Sequence, residues 1–220
     1  MNIKKLKKMS SIAALKYITK DSILGIGTGS TVITFIKQLK KVSNFIRGVV
    51  SSSKISSFYL KKYNIKIFDS REIDNIEIYI DGTDEINDNM QMIKGGGGAL
   101  TGEKILAGMS KTFVCIADFT KKVSILGKNN PVPIEIISIS YSFVKKKIIE
   151  LGGYPVLRKN FFTDYNNIII DVYNLFLKDP VKIEKKINNI PGVVTVGIFS
   201  IRKADVALIS HKNKIEEIKK

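Results

Sequence analysis

The chain has 220 residues, 44% of them hydrophobic, enough to bury a core and to hold one domain with an appendage or two small domains. Its 36 basic against 20 acidic residues give a formal charge of +16, yet only four of the basic residues are arginines and the lysines are dispersed, which argues for a solvated basic surface and against a nucleic-acid partner. One cysteine, Cys115, excludes an internal disulfide and a thiolate metal cluster, and no apolar run approaches the roughly 18 residues of a membrane span, so a cytosolic protein with no membrane partner is expected.

The N-terminal MNIKKLKKMSSIAALKYI alternates lysines with apolar residues and lacks the unbroken core of a signal peptide. From there the first half reads as strands alternating with helices. SILGIG is a strand, STVITFIKQLK a helix, FIRGVVSSS a strand, KISSFYLKKY a helix, and IKIFD and IEIYIDG two further strands. EKILAGMS reads as a helix and TFVCIAD as a strand. Strands separated by helices of this length need right-handed crossovers, and so predict a parallel, Rossmann-like α/β sheet with helices on both faces. In such sheets ligands bind beyond the carboxyl ends of the strands.

At GKNNPVPIEI the pattern changes, with Pro131 and Pro133 punctuating the chain. A helix over YSFVKKKIIEL, a turn at GGYP, a strand in NIIIDVYN, a helix over PVKIEKKINNI and a strand VVTVGIF predict a small α+β module. The expected division is a Rossmann-like domain of residues 1–130 and 203–220, rejoined by the strand DVALIS, with residues 131–202 inserted as the smaller domain.

Three stretches bear chemistry. GIGTGSTV lies between a strand and a helix, so its amides face outward from a helix N-terminus, as a phosphate needs, although a tight turn explains its glycines equally well. It lacks the third glycine and the following acid of a dinucleotide site, so a monophosphate fits better than NAD. DGTDE places Asp81 and Asp84 at the ligand edge, with Gly82 and Thr83 between them, in a spacing that does not match a calcium loop, although an Asx-rich turn alone explains these residues slightly better. KGGGGALTGEK sets Lys94 before four glycines and Glu103 after them. Glycines in a row allow close approach of a ligand to backbone, and their amides can form an anion-binding concavity.

Glu103 is expected in the first turn of a helix capped near Thr101, where taken alone it reads more readily as a surface carboxylate complementing the helix dipole than as a catalyst. The helix dipole lowers the pKa of a carboxylate there, so a base at this position requires burial or a neighbouring acid such as Asp81 or Asp84. The only histidine, His211, lies in a polar tail, and Cys115 reads as a buried small hydrophobe. Acid–base work therefore falls to carboxylates and lysines.

Taken together, GIGTGSTV, VVSSS, YIDGTDEIN, MQMIKGGGGALTGEKILA, ADFTKKVSILGK, PVPIEI, LGGYPVLR, FFTDYNNIIIDV and IPGVVTVGIF resemble type A ribose-5-phosphate isomerase over nearly the whole chain. That resemblance implies conversion of ribose 5-phosphate to ribulose 5-phosphate in the non-oxidative pentose phosphate pathway, without metal or organic cofactor. It also implies a homo-oligomer, here expected as a homodimer. By the same resemblance Glu103 is the proton-shuttling base, while Asp81, Asp84 and Lys94 assist ring opening and stabilise charge on the sugar oxygens. Thr28, Gly29, Ser30, Thr31, Gly82, Thr83, Lys121 and the amides of Gly95, Gly96 and Gly97 contact the substrate and its phosphate, and Lys7 is a further phosphate candidate. Gly102 departs from the larger, often basic residue of the family, and the loop before Pro131 is about one residue longer than its pattern. A sugar-phosphate-sensing regulator and a CoA-transferase-like enzyme are the alternatives on the same fold. The first would need no Glu103 and would carry a DNA-binding module, for which the chain leaves no room; the second would use a glutamate as nucleophile.

Overall fold

Apolar runs without alternation, such as Ile23–Ile26 and most of Ile76–Asp81, are stable as strands only with both sheet faces covered. In the computed structural model, which describes residues 2–175 and 177–219, they lie inside a six-stranded sheet. Its order is Ile215–Lys219, Val206–Ser210, Ser110–Asp118, Ile76–Asp81, Ile23–Ile26, Gly48–Ser51. Every neighbouring pair is parallel except the hairpin of Val206–Ser210 with Ile215–Lys219. Helix Ser30–Leu39 buries Val32, Phe35 and Ile36 against Leu24, Ile26 and Ile80 of the sheet. The mixed α/β class with a mostly parallel sheet is as expected from the sequence.

One local expectation needs correction, and two elements were not anticipated. Residues 65–69 form no strand in the sheet; only an isolated bridge from Ile67 to Val49 is present. The lysine-rich N-terminus is a helix, Ile3–Ala14, started by Asn2, whose side-chain oxygen accepts the Lys4 amide at 3.0 Å. The C-terminal tail contributes the edge strand Ile215–Lys219, whose half-exposed, charged pattern conceals it among loop residues.

The chain packs as two compact units. The first comprises the chain up to Thr83, then Gly102–Lys121, then Ala204 onward; the second comprises Asp84–Thr101 and Lys122–Lys203. The second is therefore larger than the inserted segment expected from residue 131. Its short strands Glu85–Ile86 and Met92–Ile93 pair with each other and then with Ile198–Phe199, which ties residues 84–101 to it. Residues 127–130 also belong there for a local reason. The buried carboxylate of Glu85 accepts the amides of Gly127, Asn129 and Asn130 at 2.7, 2.8 and 2.7 Å, so the extended loop before Pro131 is folded around an internal anion.

The rest of the second unit is a four-stranded antiparallel sheet in the order Val193–Val196, Val132–Ile136, Ile168–Tyr173, Tyr154–Leu157. Helices Tyr141–Glu150 and Pro180–Asn188 cover one face through Val144, Ile148 and Ile187 on Ile134 and Ile170. Pro133 sits within a central strand at no cost to the ladder, because pairing with Val193–Val196 stops at Ile134. VVTVGIF divides at Gly197 into two strands of different sheets. A Cβ on Gly197 would lie 2.2 Å from the carbonyl oxygen of Lys94, so backbone alone fits where the chain crosses over. GGYP, read as a turn, runs on into the strand Tyr154–Leu157. Among the described residues no helix is long and apolar enough to cross a membrane.

Candidate active site

In the first unit the candidate residues gather at the carboxyl edge of the parallel sheet. Asp81 ends its strand fully buried, and its Oδ1 accepts the amides of Thr28 at 3.0 Å and Gly82 at 2.7 Å. Its Oδ2 accepts the hydroxyl of Tyr79. Tyr79 and Asp81, two residues apart on one strand, share a face, which is how the phenol reaches the carboxylate. The Tyr79 phenol is pushed well above the usual range, first by burial and then by the negative charges of Asp81 and Glu103. Glu103, in the first turn of helix Leu100–Met109 and only 4% exposed, thus shares the electrostatic neighbourhood of Asp81. That burial is the condition a base near a helix N-terminus requires.

The turn between Ile23–Ile26 and helix Ser30–Leu39 is shaped by the same carboxylate. A Cβ on Gly27 would meet the Asp81 carboxyl at 1.9 Å, and Gly29 adopts φ +111°, so neither position admits a side chain without strain. Thr28 Oγ1 bonds the hydroxyls of Ser52 at 2.9 Å and Ser53 at 2.8 Å, which fastens the turn to the end of the neighbouring strand. The dinucleotide acid missing from VVSSS is thus replaced by hydroxyls that brace the turn. Gly29 caps the helix without a side chain, leaving the first-turn amides around Ser30 and Thr31 directed at whatever lies ahead of the helix. Lys7 donates from Nζ to Ser30 Oγ at 2.7 Å, which brings an ammonium to that end. Gly82 lies against the turn, 3.9 Å from the Thr28 carbonyl when a Cβ is built on it, and Thr83 follows. Lys121 ends the short helix Phe119–Lys121 after Ser110–Asp118, the strand that pairs with Ile76–Asp81.

In the second unit lie Asp84, Lys94 and the glycine loop. Asp84 donates its amide to Ile93 at 2.9 Å, and its Oδ2 accepts the amide of Gly96 at 2.8 Å. One of the three loop amides expected to face substrate is therefore bound to Asp84. Lys94 is 2% exposed, with its amide on the Gly197 carbonyl at 2.9 Å and its Nζ 5.5 Å from the centre of the Phe199 ring. Gly95 and Gly98 have φ of +105° and +77°, and Phe161 occupies the space of a Gly98 side chain, 2.1 Å from a built Cβ. Gly96 and Gly97 form the exposed tip.

The helix begins beside Thr101 and carries Glu103 in its first turn, as expected. The helix starts at Leu100, and the Thr101 hydroxyl donates to the buried Glu135 carboxylate at 2.6 Å, which also accepts from Thr163 and Asn167. His211 pairs with Glu216 at the hairpin turn, and Cys115 is buried in its strand. Sequence reasoning passed over Tyr79, although its two-residue spacing from Asp81 on a strand was a usable signal, and it passed over Arg158. Among the described residues no group of three or more His, Cys, Asp and Glu is placed to hold a metal ion.

The sequence model of the family described as Ribose 5-phosphate isomerase A (phosphoriboisomerase A) matches residues 48–214. The chain is 55% identical over 219 residues to Ribose-5-phosphate isomerase A of Buchnera aphidicola from Schizaphis graminum, covering all of both chains. It is 53% identical to the protein of that name from Baumannia cicadellinicola, covering 97% of this chain and 96% of the other. Among solved structures, ribose 5 phosphate isomerase A from Neisseria gonorrhoeae superposes with a TM-score of 0.97 at 41% identity, covering 99% of this chain and 97% of that one. A D-ribose-5-phosphate isomerase in complex with phospho-erythronic acid superposes with a TM-score of 0.95 at 32% identity over all of both chains. The chain belongs to the ribose 5-phosphate isomerase A family.

Proposed function

We infer that the chain interconverts D-ribose 5-phosphate and D-ribulose 5-phosphate. The observation that carries this reading is the buried Asp81 bound to the Gly27–Thr31 turn, with the buried Glu103 charge acting on the same Tyr79 phenol, in a chain of this family. The phospho-erythronic acid bound by the solved relative is a phosphorylated sugar acid whose carboxylate offers two oxygens, as an enediolate does. That supports a sugar phosphate as the ligand here.

On this reading the phosphate lies on the amides of the Thr28–Thr31 turn, with Lys7 and Lys121 as cations. In the open-chain aldose the Glu103 carboxylate takes the C2 proton, and the C2–H electrons form the C1=C2 bond while charge passes to O1. Lys94 and the glycine-loop amides stabilise that charge. Glu103 returns the proton to C1, O1 gains the proton lost by O2, and C2 becomes the carbonyl. Asp84, only half-buried, is the carboxylate suited to moving protons during ring opening. Asp81, with both oxygens already accepting hydrogen bonds, holds the turn. The carboxylate and the ammonium supply base and charge stabilisation, so we propose a metal-independent enzyme; family membership alone supports the further proposal of a cytosolic homodimer in the pentose phosphate pathway.

Incubation with ribose 5-phosphate should yield a ketose, turnover should persist after EDTA treatment, and product formed in deuterated water should carry deuterium at C1. Absence of ketose would return the reading to a sugar-phosphate sensor or a CoA-transferase-like enzyme. Complete hydrogen transfer with no solvent label, or loss of activity in EDTA, would indicate a metal-assisted hydride shift.

A further inference from the structure

Four glycines in a row have no side chains by which the protein could hold them, and glycine loses more freedom on ordering than any other residue. The loop must therefore be fixed through its own peptide groups. Arg158, just beyond the strand Tyr154–Leu157, does this from the carbonyl side: its Nη1 donates to the oxygens of both Gly95 and Gly96, each at 3.3 Å. The guanidinium is itself locked by Asp171, with Nη2 to Oδ1 at 2.6 Å and Nε to Oδ2 at 2.8 Å, both side chains being largely buried. Its carbon lies 5.2 Å from the centre of the Phe161 ring, and Phe161 packs on Gly98.

These contacts have directional consequences. The Gly95 carbonyl and the Gly96 amide are the two ends of one peptide plane, held by Arg158 on one side and by Asp84 on the other. The Gly96 carbonyl and the Gly97 amide belong to the next plane. In a trans peptide the N–H points opposite to the C=O, so the bond from Arg158 to the Gly96 oxygen aims the Gly97 N–H away from the guanidinium. A cation on the carbonyl also polarises that peptide and strengthens its N–H as a donor.

We propose that Arg158 is a positioning residue for the isomerisation. Held by Asp171, it orients the Gly95–Gly97 peptides so that the Gly97 amide donates to the oxyanion that develops on the sugar. This rests on the assignment of the loop as substrate-binding. Lysine cannot replace it: one ammonium can meet Asp171 but cannot hold that fork and both carbonyls together.

The test combines turnover with amide hydrogen exchange of residues 94–101 in wild type, R158K and R158A. A misaimed donor weakens transition-state stabilisation more than ground-state binding, so kcat should fall about tenfold to a hundredfold while KM stays within about threefold. Loop exchange should rise in both variants, and R158K should keep the melting temperature of the wild type. Methylguanidinium should restore R158A saturably, and methylammonium should not. The proposal is overturned if kcat stays within about twofold of wild type, if loop exchange is unchanged, or if methylammonium rescues as well. If wild type forms no ketose, the isomerase reading fails, while loop exchange still reports whether Arg158 fixes these peptides.

Discussion

Asp81 Oδ1 accepts the amide of Thr28 at 3.0 Å across 53 residues of sequence, so the end of one strand determines the shape of the turn after another. The same carboxylate accepts from Gly82 and Tyr79. Asp81→Asn presents an N–H where an oxygen accepted a donor, in a site with no exposure to water. It should lower stability by about 2–3 kcal/mol, measured by urea unfolding, and weaken phosphate binding together with turnover. A variant of unchanged stability with normal substrate affinity would mean that the carboxylate does not organise the turn.

Gly27→Ala tests the same relationship from the other side. The added methyl would start 1.9 Å from the Asp81 carboxyl, so the turn or the carboxylate must move. The expected result is a drop of at least about tenfold in kcat/KM, with a fold still cooperative by circular dichroism, as misplacement of about 1 Å commonly produces. Gly108→Ala is the control, since a Cβ there meets nothing within 4 Å.

Lys7 lies at the helix end on Ser30, at 2.7 Å, and on this account its charge acts on the phosphate alone. Lys7→Ala should therefore reduce kcat/KM for ribose 5-phosphate about tenfold, roughly 1.4 kcal/mol, and leave the residual activity on free ribose unchanged. Equal losses on both sugars would separate Lys7 from phosphate binding.

Tyr79 supplies a pH dependence. Its phenol is held protonated in the folded protein well above the ordinary range, by burial and by the Asp81 and Glu103 charges. The unfolded chain loses that proton near pH 10, so in that window the folded state binds more protons and stability falls as pH rises. Its contribution is complete below about pH 10 and lost progressively above it. The difference between wild-type and Tyr79→Phe unfolding free energies, followed by urea denaturation from neutral to strongly alkaline pH, should shrink above that point. A constant difference would show that the phenol ionises as readily folded as unfolded.

The parallel sheet was legible because its buried strands are short, continuous apolar runs punctuated by helices; the positions of Asp81 at a strand end and of the Thr28–Thr31 turn before a helix were legible because glycines and acids follow those strands, whereas a role for Glu103 was implied only by the family resemblance. The N-terminal helix was hidden by lysines on its exposed face, with only Asn2 to mark its start. Strands of two residues, Glu85–Ile86 and Met92–Ile93, carry no periodicity to detect, and they are what draws residues 84–101 into the second unit. The contact of Arg158 with the glycine loop, 62 and 63 residues away along the chain, has no local signature.

If Glu103 is the base of a ribose 5-phosphate isomerase, the rate of ketose formation from ribose 5-phosphate must collapse in Glu103→Gln relative to wild type. The amide keeps the shape of the side chain and cannot accept the C2 proton. The expected loss is at least about two orders of magnitude in kcat, with binding of ribose 5-phosphate largely retained by calorimetry. A Glu103→Gln protein that forms ketose within a few fold of the wild-type rate would contradict it.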